Sequence, residues 1–206
     1  MEELDLLKKQ WQKPDAFQQL SEADLYEMIH KKSSSIVKLI LIISFLEFIF
    51  WIILSLLIDT SESFKNEPEL IYLDIIEYLS YGVVLVFMYL LFKNYKKISV
   101  TQTTKQLMID ILDAKKIVQY YVWYNLIIIA LGLSFGVIYA FFTNPEMQLM
   151  NGLATTNNNL LIGSIFAMAV VLIILFGLFW LFYRLLYGIL LKKLYANYNE
   201  LKKIDL

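Results

Sequence analysis

Residues 41–58 read LIISFLEFIFWIILSLLI. Every position but three is a large apolar side chain, and one of the three, Glu47, is an acid. The run reaches back to about residue 36, interrupted by Lys38. An α-helix of roughly 20 residues crosses a hydrocarbon core about 30 Å thick. This stretch therefore reads as a membrane span, and it decides the fold.

Working outward, three further runs have the same character: residues 70–92, 120–142 and 160–183, the last continuing helically to 191. The chain has 206 residues, 59% of them hydrophobic, with a mean hydropathy of +0.59. A soluble domain is nearer about half apolar, and here the excess is gathered into long runs. The expected fold is all-α: a polytopic membrane protein with four transmembrane helices in two hairpins, a four-helix bundle carrying short amphipathic cytoplasmic helices. Five segments follow. Residues 1–35 form a cytoplasmic amphipathic segment, 36–92 the first hairpin with an acidic outer loop, and 93–119 a cytoplasmic amphipathic helix. Residues 120–191 form the second hairpin and 192–206 a cytoplasmic tail.

Charge gives the orientation. The segment before the first span carries Lys8, Lys9, Lys13, Lys31 and Lys32, with Lys38 just inside it. The middle segment carries Lys93, Lys96, Lys97, Lys105, Lys115 and Lys116, and the last carries Arg184, Lys192, Lys193, Lys202 and Lys203. Of the 18 basic residues only Lys65 lies elsewhere. The positive-inside rule then puts both termini in the cytoplasm and the protein in the cytoplasmic (inner) membrane. The start, MEELDLLKK, lacks the basic-then-apolar order of a signal peptide, so the first apolar run is expected to be retained. Tyr120, Tyr121, Trp123 and Tyr124, and likewise Tyr183 and Tyr187, fall at the inner ends of their spans, the depth that amphipathic rings favour.

The soluble segments are amphipathic. Leu4, Leu7 and Trp11 share a helical face that Pro14 ends. Ser21 is a candidate N-cap with Glu22 and Asp24 in the first turn, ahead of Leu25, Met28 and Ile29. These helices lie on the membrane surface or against the inner ends of the bundle, or else dock a cytoplasmic protein partner through Leu4, Leu7 and Trp11. Leu107, Ile111, Ala114 and Val118 mark a helix that packs on its neighbours or runs into the third span.

Glu47 stands eleven residues after Ile36, about 16 Å along the axis, near the midplane. An acid there costs roughly 2.5–3.5 kcal/mol on insertion scales, and the surrounding Leu, Ile and Phe offset it. Ser44, Glu47, Trp51 and Ser55 share one face, which is expected to turn into the bundle. The second span has a polar stripe of Asp74, Glu77, Tyr78 and Tyr81. Tyr81, or Ser134 from the third span, is the expected partner of Glu47. With no Lys or Arg at that depth, the carboxyl is expected to be neutral and hydrogen-bonded. It is either a polar clasp between helices, worth about 0.6 kcal/mol, or a proton or cation site. Gly132, Gly136 and Ala140 form a small-residue face suited to close helix packing, within the chain or in a homo-oligomer.

Enzymatic chemistry is not expected. There is no cysteine and a single histidine, His30, and no GxSxG, HExxH or P-loop pattern. No cofactor or metal is expected, and a net charge of −1 offers no general attraction for nucleic acid.

Glu3-Leu4-Asp5-Leu6-Leu7-Lys8-Lys9 with Trp11, and Lys31-Lys32-Ser33-Ser34-Ser35-Ile36-Val37-Lys38, resemble a group of uncharacterised flavobacterial-type four-span membrane proteins. The resemblance covers about the first 60 residues. Such proteins sometimes carry the label of a carotene-cleaving oxygenase, a chemistry of iron held by several histidines, which a chain with one histidine does not support. Their association with sigma factors implies an anti-sigma-like role. The expectation is a membrane-anchored interaction or regulatory protein; the alternative is a small transporter or channel component using Glu47.

Overall fold

The computed structural model describes residues 21–57, 71–143 and 158–204. Among these, only residue 21 and the turn at 101–103 are not helical. The helices are α1 (Glu22–Leu57), α2 (Ile71–Val100), α3 (Thr104–Thr143), α4 (Asn158–Tyr183) and α5 (Ile189–Ile204), with a five-residue π-helical turn, Arg184–Gly188, joining α4 to α5. Four helical stretches are long and apolar enough to cross a membrane.

The expected short cytoplasmic helices are not separate elements within the described residues. The α1 helix runs unbroken for 36 residues, about 54 Å. Between Lys31 and Ile36 there is neither Pro nor Gly, so nothing in the backbone ends the helix before the apolar run begins. Its start is capped as the sequence leads one to expect. The Asp24 N–H donates to Ser21 Oγ (3.4 Å) and the Ser21 N–H donates to Asp24 Oδ2 (3.3 Å), a reciprocal capping box. The α3 helix likewise carries Leu107 and Ile111 on the same rod as the third span, and the tail continues the fourth as α5.

The α1 helix packs on α2, α2 on α3, and α3 on both α4 and α5. The α5 helix returns to α1 and closes a ring of four at the basic-flanked end. There the core is close-packed, built of Ile29, Ile98, Leu107, Ile111, Leu194 and Leu201, all at most 1% exposed. Polar ties fix its register. Tyr26 OH donates to the Thr101 carbonyl (3.1 Å), and His30 Nε2 lies 2.6 Å from the Ile98 carbonyl, to which it donates as an N–H. Burial pushes the Tyr26 phenol above its ordinary pKa. Asp110 is buried and accepts from Thr101 Oγ1 (2.9 Å) and Gln106 Nε2 (3.1 Å). Asn197 Nδ2 donates to Ser33 Oγ (3.0 Å). The turn between α2 and α3 is thus clamped from α1 and from α3.

A second cluster continues the core upward through Ile40, Leu91, Val118 and Tyr121. It stops at a layer formed by Glu47, Val84, Leu126 and Tyr183. Beyond that layer, toward the acidic connections, no described residue is buried.

Candidate functional site

Glu47 lies in this last buried layer, 8% exposed. Three tyrosine hydroxyls converge on its carboxyl. Tyr121 OH donates to Oε2 at 3.0 Å, Tyr187 OH donates to the same oxygen at 2.6 Å, and Tyr183 OH donates to Oε1. Tyr121 comes from α3. Tyr183 ends α4 and Tyr187 lies in the π turn, four residues apart and therefore on one face, with their rings stacked at 5.9 Å. A π turn is a common way for a helix to aim side chains at a site.

The network extends one step further. Tyr187 OH is 3.2 Å from Ser44 Oγ, and Ser44 Oγ donates to the Ile40 carbonyl (3.0 Å). This chain can take either form of the acid. An ionised carboxylate accepts from all three phenols. A protonated one donates to Tyr187, which turns its own hydrogen to Ser44, whose hydrogen already rests on a backbone carbonyl. No group needs to move for the exchange; only hydroxyl hydrogens rotate. Among the described residues no set of three His, Asp or Glu side chains gathers in a way that would hold a metal.

The polar face of α1 makes contacts on neighbouring helices along its length. Ser44 and Glu47 join the tyrosine cluster, Trp51 lies 6.1 Å from the Phe179 ring, and Ser55 Oγ donates to Glu77 Oε1 (2.7 Å). Tyr81 is not a partner of Glu47. It donates to Glu77 Oε1 at 2.5 Å, one turn along its own helix. Ser134 does not meet Glu47 either; it lines a cleft between α3 and α4. The register across α1 and α2 explains the difference. Ser55 stands opposite Glu77, two turns from Glu47, so Tyr81 finds a nearer acid.

The three tyrosines that hold Glu47 read in the sequence as headgroup-level rings, and Glu47 as a midplane residue. The fold brings them to one layer because the pairs of helices are staggered. Along α1, Lys38 is about 13 Å below Glu47, whereas on α3 Lys116 is only about 7 Å below Tyr121, and on α4 Arg184 directly follows Tyr183. The one usable signal was the pair Tyr183 and Tyr187 on a single helical face. Interfacial anchoring produces the same pair, so spacing alone does not separate the two roles.

Gly132 lies eleven residues after Tyr121, about three turns, and so faces nearly the same way. Yet nothing stands within 4 Å of where a Cβ would be at Gly132 or Gly136. Gly132 and Gly136 therefore make no close helix approach among the described residues, because the bundle is open at that height. Leu4, Leu7 and Trp11 lie outside the described residues.

No curated protein and no solved structure matches the chain. One family model does, over residues 23–206, which takes in the Lys31–Lys38 stretch and leaves out Glu3–Trp11. With nearly its whole length matched, the chain belongs to the family described as a domain of unknown function, DUF8845.

Proposed function

We propose that this protein is a non-enzymatic, membrane-anchored interaction module of the inner membrane. Its basic-flanked end faces the cytoplasm and binds a regulatory protein partner there. The observation that carries this reading is the close-packed four-helix core at that end. Helices embedded in lipid gain nothing from excluding water between them, whereas helices reaching into water do. A close-packed cluster at the basic-flanked ends is what a water-exposed bundle needs, and a rigid bundle is a platform for a partner. An anti-sigma-like role is one instance of it.

The test is quantitative co-purification from native membranes in mild detergent, comparing the full chain with one lacking residues 1–20. The cut stops at 20 because Ile29 and His30 belong to the bundle. A partner enriched by the full chain and lost with the truncation, at equal membrane levels, is the expected result. Identical co-purifying sets from the two chains would remove the docking segment from the reading.

A second reading has its own observation. Three phenols on one buried carboxyl, with a chain that accepts the acid in either form, suit a proton site in a small carrier. It requires that Glu47→Gln abolish proton-coupled flux in proteoliposomes. The interaction module tolerates that substitution.

A further inference from the structure

Two clefts lie between α3 and α4, one from the Glu47 layer toward the basic-flanked end and one beyond that layer. The first, about 160 Å³, is lined by Gln119, Trp123, Leu126, Trp180, Arg184 and Gly188 among others. The second, about 470 Å³, is lined chiefly by apolar groups, including Ala130, Leu133, Leu172, Phe176 and Gly177, and shares Trp180 with the first. On α3, Gln119, Trp123, Leu126, Ala130 and Ser134 follow one another at spacings of four, three, four and four, so both clefts open on one face of that helix. Ile173, Gly177, Trp180 and Arg184 do the same on α4. The two clefts form one groove, polar at the basic-flanked end and apolar beyond.

Arg184 is the chain's only arginine, and it closes the apolar run of α4. Its guanidinium lies over the Trp180 ring, 4.9 Å from the centroid, at the wall the two clefts share. Among the described residues no carboxylate pairs with it. A guanidinium presents five N–H donors in a planar fork that matches a phosphate, and an indole face satisfies none of them. From Trp180 back to Leu172 the groove runs about 12 Å, close to the roughly 15 Å of one leaflet's hydrocarbon.

We propose that this groove binds one anionic phospholipid, its phosphate on Arg184 and Gln119 and an acyl chain along Ala130, Leu133, Leu172 and Phe176. Charge complementarity selects the anionic headgroup, and the shared wall at Trp180 makes the phosphate site and the chain site a single site. The lipid is a ligand here, distinct from the bulk bilayer. The proposal stands apart from the identity of any cytoplasmic partner.

The experiment is native mass spectrometry of the full chain released from a neutral detergent, titrated separately with dioleoyl phosphatidylglycerol, dioleoyl phosphatidylcholine and inorganic phosphate. One phosphatidylglycerol adduct should saturate at a concentration at least about tenfold lower than phosphatidylcholine needs. Arg184→Gln should erase that preference, and Arg184→Lys should recover part of it, since an ammonium keeps the charge without the fork. Gly177→Leu fills the apolar end, where a Cβ meets nothing within 4 Å, and should weaken both lipids at an unchanged thermal midpoint. Lys96→Gln, on an exposed residue of α2, should change nothing. Equal binding of the two lipids, or a preference that survives Arg184→Gln, overturns the proposal. So does phosphate that displaces the lipid while Gly177→Leu has no effect, which would mean a free-anion site. A lipid-free dimer dissociated by Gly177→Leu would mean that a second copy fills the groove.

Discussion

The two halves of this bundle are made of the same four rods and are held together differently. At the basic-flanked end Ile29, Ile111 and Leu194 are shut from solvent, and every neighbouring helix contributes to the core. Beyond Glu47 the same helices bury nothing among the described residues; Ile173, for example, is 70% exposed. The contrast is the one expected of a bundle with one end in water and the other in lipid. Water drives apolar faces together at roughly 25 cal/mol per Å². Lipid is as apolar as leucine and gives no such drive; beyond Glu47 the hydrogen bonds between helices include Ser55 on Glu77 and Tyr124 on Ser80. Glu47 marks the boundary, a polar knot where the packed core ends.

The largest expected effect lies deep in the packed half. Leu194→Ala should lower stability by about 2–5 kcal/mol, while Ile173→Ala stays within about 0.5 kcal/mol. Unfolding followed in detergent compares them, and equal losses would erase the distinction between the halves. Next comes the knot itself. Glu47→Leu takes the acceptor from Tyr121 and Tyr183, while Tyr187 can turn to Ser44, at about 1–3 kcal/mol for each group left unpaired. Glu47→Gln keeps an acceptor and should cost well under half of that. If the leucine variant is the more stable of the two, the carboxyl is not what holds α1 to α3 and α4. Removing the clamp on the α2–α3 turn should matter less. His30→Ala should cost about 1 kcal/mol and show as faster amide exchange around residues 98–103. The smallest effect belongs to the open half: Gly132→Leu has free space and gains helix propensity, so its thermal midpoint should hold or rise slightly. A sharp fall there would reveal a close neighbour against that face.

Sequence by itself determined what depends on neighbours along the chain. The four apolar runs, the basic residues at their ends, the Ser21 cap and the shared face of Ser44, Glu47, Trp51 and Ser55 are all set by helical periodicity and by the cost of charge in lipid. The absence of helix breakers between Lys31 and Ile36 was equally visible, and it makes one rod of what reads by composition as two elements. Tertiary structure decided the rest, because the register of one helix against the next is not encoded along either. A shift of one turn, about 5.4 Å, exchanges one set of partners for another. That register gave Tyr81 to Glu77, left Ser134 in a cleft, and carried Tyr121, Tyr183 and Tyr187 from the headgroup level their spacing implies to the carboxyl of Glu47. The openness beyond Glu47 was hidden for the same kind of reason. An apolar face looks the same in sequence whether it meets a helix or a lipid, and only the packing of all four rods distinguishes them.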